Sequence, residues 1–180
     1  MTDGTTFRMT ASEYLLLPET TQPMELLDGE VIMSPAPIPE HQTAVGNTYL
    51  LISGTVKERG GRAFFAPLDV RLDDLNVVQP DVMYLAPDTR CIVGEKYLIG
   101  APDLIVEVLS PGSIKTDKRD KFRLYERFGV REYWLVSPRD QLVEVWLLTD
   151  QRFVLLNPYG VGETFESPLL GSVDASALFA

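Results

Sequence analysis

Two carboxylates stand where apolar strands are expected. Across residues 103–110 (DLIVEVLS), period-two alternation puts Leu104, Val106 and Val108 on one face and Ile105, Glu107 and Leu109 on the other. A carboxylate among aliphatic neighbours is costly unless a cation, a metal or a donor network pairs with it. Upstream, VVQPDVMYLA repeats the pattern, with Asp81 sharing a strand face with Met83 and Leu85. Lys121 follows on a helix expected over 118–128, close to its apolar stripe of Phe122, Tyr125 and Phe128. A hard divalent cation such as Mg²⁺ or Mn²⁺ takes oxygen ligands, often one or two protein carboxylates, with water and substrate phosphate completing the shell. A lysine beside such a pair can orient a water and offset charge developing on a phosphate. Asp81 and Glu107 as metal ligands, with Lys121 beside them, therefore predict metal-assisted phosphodiester hydrolysis. The plainer alternative is a buried Glu–Lys pair without chemistry.

These residues need a scaffold. A strand over 104–109, a Ser-Pro-Gly break, the helix and a second strand at 131–136 make a strand–helix–strand unit, which implies parallel pairing through a right-handed crossover. The Asp81 strand is expected over 77–85. Upstream, Thr10 and Glu13 form a capping box for a short helix reaching Leu17, and 24–33 (MELLDGEVIM) reads as a hairpin about Asp28-Gly29. A proline-rich segment, 34–39, precedes an amphipathic helix over 40–59 ended by Gly60-Gly61. Residues 62–72 read as extended, with Pro67 marking an edge or a bend. Residues 86–102 read mostly as loop, apart from a short apolar piece around 97–99. A β-meander over 141–156 and a turn-rich end with one short helix complete the chain. The fold class is mixed α/β in a single domain over 1–180, with its core at about 24–136.

Composition narrows the function. With 45% hydrophobic residues in 180, a full core is possible, and no apolar run is long enough to span a membrane. The N-terminus shows no signal-peptide pattern, and Cys91 is the single cysteine, which fits a reducing cytoplasm. A net charge of −10 argues against a general nucleic-acid coat protein. The charge is uneven, however: residues 110–131 hold seven cations against three anions, directly after Glu107.

The ordered set Pro80-Asp81, Glu107-Val-Leu-Ser-Pro-Gly, Asp117-(three)-Lys121-(three)-Tyr125 and Gly129-Val-Arg-Glu-Tyr-Trp134 resembles the Uma-two family of restriction-endonuclease-like proteins, within the PD-(D/E)XK nuclease superfamily. Glu25-Leu-Leu-Asp-Gly-Glu30 and His41 also match its N-terminal part. The resemblance implies a restriction-endonuclease-like core, with a mixed central sheet flanked by helices and the Asp and Glu strands adjacent. It also implies DNA as substrate. The superfamily's lysine usually stands two residues after the glutamate; here that residue is Leu109, and Lys121 on the helix takes its place.

Three further residues are candidates in support. Glu30 is either a third carboxylate at the site or a hairpin surface charge. His41 either positions a water or phosphate or is a polar helix start. Asp117, one turn before Lys121, either holds that lysine or favours the helix N-terminus. Tyr133 and Trp134 are expected in the core or an interface. The leading expectation is a Mg²⁺- or Mn²⁺-dependent endonuclease acting on DNA as a homodimer that pairs two basic segments. A catalytically inactive nuclease fold that binds nucleic acid or protein is the second reading, and a structural dimerisation module the third.

Overall fold

The computed structural model of the chain describes residues 8–18 and 20–180; part of the stretch read as lacking a signal peptide lies outside them. Helix α1 (Ala11–Tyr14) starts on the expected capping box, but it ends one turn earlier than Leu17. Strands β1 (Met24–Leu27) and β2 (Glu30–Met33) form the expected hairpin, with Asp28 and Gly29 both at positive φ in its two-residue turn. The long helix α2 (Pro39–Arg59) opens on Pro39, whose fixed φ suits a first helical turn.

After α2 the chain alternates between two sheets. Strand β3 (Arg62–Phe65) joins the main sheet as its edge, and the Pro67 bend hands the chain to β4 (Val70–Arg71) of a smaller sheet. The expected single strand over 77–85 is in fact two. β5 (Val77–Val78) belongs to the smaller sheet and β6 (Val82–Leu85) to the main one. Between them Pro80, with no N–H to donate, interrupts the ladder, so Asp81 stands at the break instead of within a strand. The expected loop holds two short strands, β7 (Ile92–Val93) and β8 (Leu98–Ile99), which close the smaller sheet.

Strand β9 (Leu104–Val108) lies at the centre of the main sheet and is buried along its whole length. It pairs antiparallel with β6 and parallel with β10 (Glu132–Ser137). The parallel pair is the expected crossover, but the intervening helix is not uniform. A π-helical turn (Thr116–Lys121) runs directly into helix α3 (Phe122–Arg127). Strands β11 (Leu142–Thr149) and β12 (Arg152–Gly160) extend the sheet as the meander. The turn-rich end holds a hairpin of β13 (Thr164–Ser167) and β14 (Gly171–Asp174), followed by one short 3₁₀ helix.

The main sheet is covered on both faces, which accounts for its near-continuous apolar strands. On one face α2 and the C-terminal hairpin bury Val82, Tyr84, Leu104, Val106 and Trp134. On the other, α3 and the smaller sheet bury Met83, Leu85, Ile105, Tyr125 and Tyr133. Tyr133 and Trp134 are thus core residues. Glu107 has the parity of Ile105, so it points towards α3 and the smaller sheet. Among the described residues no helix is long and apolar enough to cross a membrane.

Candidate active site

Strand register brings the two carboxylates together. β6 pairs with β9 through Val82 and Val106, and one step further along the same register Asp81 comes opposite Glu107. The ladder ends there, and Asp81 completes it with its side chain: the Val108 N–H donates to Asp81 Oδ2 at 2.7 Å. The same oxygen lies 3.2 Å from His41 Nε2, delivered by the first turn of α2. Burial opposes a charge on His41, but Asp81 outweighs it and raises the imidazole pKa above 6.5.

Glu107 is held from the opposite side by the helix. Its Oε1 accepts from the Tyr125 hydroxyl at 2.7 Å and from Lys121 Nζ at 3.0 Å. Lys121 also reaches Glu25 Oε1 at 2.8 Å and Asp117 Oδ1 at 3.7 Å. Lys121 and these three carboxylates are almost wholly buried. Burial disfavours the ammonium, yet Glu107, Glu25 and Asp117 together hold its pKa well above the usual lysine value. The carboxyl groups feel the same burial from the other side. Desolvation pushes Glu107 well above the carboxylate range against the pull of Lys121, and Asp117 rises for the same reason. The two directions agree physically: three carboxyl groups share one cation, so the cation stays charged while the acids resist ionising.

The π-helical turn and α3 carry this cluster at spacings of four, which keep side chains on one face. In the turn Asp117 and Lys121 are both buried, as is Tyr125 four residues further on in α3. Such π turns recur at functional sites. Tyr133 of β10 fixes the turn by donating its hydroxyl proton to the Asp117 carbonyl at 3.1 Å.

Of the sequence-predicted residues, the structure gathers Asp81, Glu107, Lys121, Asp117 and His41 on one cleft of about 1190 Å³. Glu30 is not among its lining residues; it is exposed at the turn end of the hairpin, opposite Leu27. The N-terminal carboxylate that reaches the cluster is Glu25, two residues before Leu27 and held by the Gln79 N–H at 2.8 Å. Sequence reasoning also missed Gln79, which bridges Glu25 to Asp69, and placed Tyr125 only in the core.

Asp81 and Glu107 each have one oxygen committed to protein donors, while Asp81 Oδ1 and Glu107 Oε2 have no donor among the described residues. Glu25, Glu107 and Asp117 share Lys121 and Asp81 stands beside His41, so with all four carboxylates ionised the cluster carries a negative excess. Hard oxygen donors with spare lone pairs and surplus negative charge fit a hard divalent cation. Among the described residues no three His, Cys, Asp or Glu side chains form a ready-made metal cage. A cation here would keep open positions for water and substrate, as Mg²⁺ usually does.

The basic segment does not form an open patch. Five of its seven cations are ion-paired: Lys118 with Glu144, Arg119 with Asp120, Lys121 in the cluster, Arg127 with Asp28, and Arg131 with Asp88 and Asp103.

The chain as a whole is similar to known proteins. The chain is 29% identical over 163 residues to the uncharacterized protein sll1609 of Synechocystis, covering 83% of this chain and 91% of that one. The crystal structure of a putative nuclease belonging to DUF820 from Anabaena variabilis superposes with a TM-score of 0.77 at 26% identity, covering 95% of this chain and 97% of that one. Residues 11–176 match the model of the Uma2 family, described as "Putative restriction endonuclease", and the chain belongs to that family.

Proposed function

We propose that the protein is a divalent-metal-dependent endonuclease that hydrolyses DNA phosphodiester bonds in the cytoplasm. The observation that carries this reading is the paired carboxylates, Asp81 and Glu107, each with one oxygen fixed by protein donors and one left over at the floor of a cleft. A bound Mg²⁺ or Mn²⁺ would polarise the phosphate and lower the pKa of the attacking water. Asp81 and Glu107 are the residues that would hold it. His41 and the Val108 N–H fix the orientation of Asp81, and Tyr125 fixes that of Glu107. Lys121 stays charged in its carboxylate surroundings, so it acts as a donor rather than a general base. Its ammonium can orient the attacking water and stabilise negative charge accumulating on the phosphate oxygens.

The test is cleavage of supercoiled plasmid and of single-stranded DNA, with and without Mg²⁺ or Mn²⁺, by wild type, Glu107→Gln and Lys121→Ala. Metal-dependent nicking should fall by about 100-fold or more in both variants, with circular dichroism confirming that each is folded. Activity equal in all three proteins would mean a contaminant and would end the reading.

One observation favours a second reading, an inactive nuclease fold that binds a partner: internal ion pairs leave little of the basic segment free for phosphate. Detectable metal binding with no cleavage under any condition would select it. The enzyme reading also carries a homodimer, which would double the few phosphate contacts of one chain; sedimentation showing only monomer at micromolar concentration would remove it.

A further inference from the structure

The walls of the cleft limit what can reach its floor. On one side runs the proline-rich strap, residues 34–38, and on the other the loop of residues 110–113. The two approach closely: a Cβ added to Gly112 would stand 3.1 Å from Pro35 Cγ. Beneath this bridge the cluster atoms are nearly inaccessible, with the Glu107 side chain 4% exposed and that of Lys121 6%. A duplex carries its phosphates on the outside of a stiff cylinder, whereas one unpaired strand can bend to follow a groove with such close walls. Its volume of about 1190 Å³ is somewhat larger than clefts that enclose small ligands, a size for a few nucleotides of one strand.

Charge suggests the path. The floor is acidic, but two exposed cations that form no ion pair with a described residue stand near it, one on the cleft lining and one on an adjoining cavity. Lys96 lines the cleft beside Tyr97, next to the backbone contact from Leu98 to Asp69. Arg139 lines an adjoining cavity of about 310 Å³ that shares His41, Ser110 and Pro111 with the cleft. From Asp69 a continuous series of contacts leads through Gln79, Glu25 and Lys121 to Glu107. A half-buried tyrosine beside the path offers a base a face to stack on.

We propose that the cleft takes a single strand of DNA, threaded beneath the strap and the 110–113 loop, with Lys96 and Arg139 holding phosphates on either side of the scissile one. This rests on the nuclease reading and specifies its substrate: unpaired strands and frayed or displaced ends rather than intact duplex. Tyr97 supports the strand by stacking, which tolerates any base, so the cleft itself imposes little sequence preference.

The experiment is fluorescence anisotropy of the full chain with a short labelled single strand, the same sequence as duplex, and the same sequence as RNA. Ca²⁺ replaces Mg²⁺ so that binding is read without cleavage. The single DNA strand should bind about tenfold or more tightly than the duplex. Lys96→Ala and Arg139→Ala should each weaken it several-fold and reduce the slope of log affinity against log salt by about 0.7, the loss of one phosphate contact. Both side chains are exposed, so folding should be unaffected. Equal or tighter duplex binding, no binding of any strand, or unchanged salt slopes in both variants would overturn the proposal. Tighter binding of the RNA would overturn the assignment to DNA. Binding and cleavage fail separately: strand preference with no cleavage defeats the nuclease but leaves the single-strand cleft, and duplex cleavage without strand preference does the reverse.

Discussion

His41 is the single histidine of the chain, so its ring Hε1 proton gives an unambiguous NMR signal. Its environment sets two opposed effects. Burial favours the neutral ring, and Asp81 at 3.2 Å favours the charged one; the second prevails. The folded-state pKa therefore lies above 6.5, and His41 contributes stability that is present below that pH and lost as pH rises through its folded value. Titrating the metal-free protein should show a midpoint above 6.5. Asp81→Asn removes the charge and leaves the burial, so its midpoint should fall below that of wild type. An unchanged midpoint would mean that Asp81 does not hold the ring. The same residues show what the sequence could reveal. Asp81 and Glu107 were legible because a carboxylate at an apolar position has few explanations. Glu25 was not, because Glu25 and Glu30 share a hairpin face, and only the packing decides which end enters the cleft.

At the scale of elements, the site depends on how the chain passes between two sheets. The turn from α2 to β3 shows how tightly one such passage is built. Gly61 has φ +87°, and a Cβ there would overlap the Leu85 carbonyl oxygen and press on the Tyr84 ring. The left-handed backbone alone costs a non-glycine residue about 1–2 kcal/mol. The overlap is with backbone, which cannot swing aside, so Gly61→Ala should destabilise by more than that strain, about 2 kcal/mol or above. Chemical denaturation would read this as a lowered midpoint at constant slope. A loss below about 0.5 kcal/mol would show that β3 can shift away from β6. Most elements followed from alternation, caps and glycine stops. The two that carry the site did not. Pro80 lies inside an apolar run whose alternation continues on both sides, so one strand and two strands in different sheets read alike. The π-helical turn uses ordinary helix-forming residues, and its extra width is set by the ion cluster and by Tyr133 rather than by local propensity.

At the scale of the whole molecule, a charge imbalance sits at the site. Glu25, Glu107 and Asp117 meet Lys121 in a buried cluster, and Asp81 adds a fourth carboxylate beside His41, within a chain already at −10. Glu107 and Asp117 are raised by burial, so the folded protein binds more protons than the unfolded chain over the window between their ordinary and folded pKa values. Stability without metal should therefore fall as pH rises through that window. A divalent cation at Asp81 and Glu107 would relieve the imbalance, and its stabilisation should grow over the same window as the carboxyls ionise. At ten times its Kd, Mg²⁺ would add about 1.4 kcal/mol. For a domain of this length that is a rise in Tm of roughly 3–5 °C, measured against NaCl at matched ionic strength and reversed by EDTA. Asp81→Asn should abolish the rise. General screening of the chain's negative charge would stabilise wild type and variant alike, and would do so equally with NaCl. A metal held by the paired carboxylates would separate all three conditions, so this one melting series distinguishes a bound ion from an ion atmosphere.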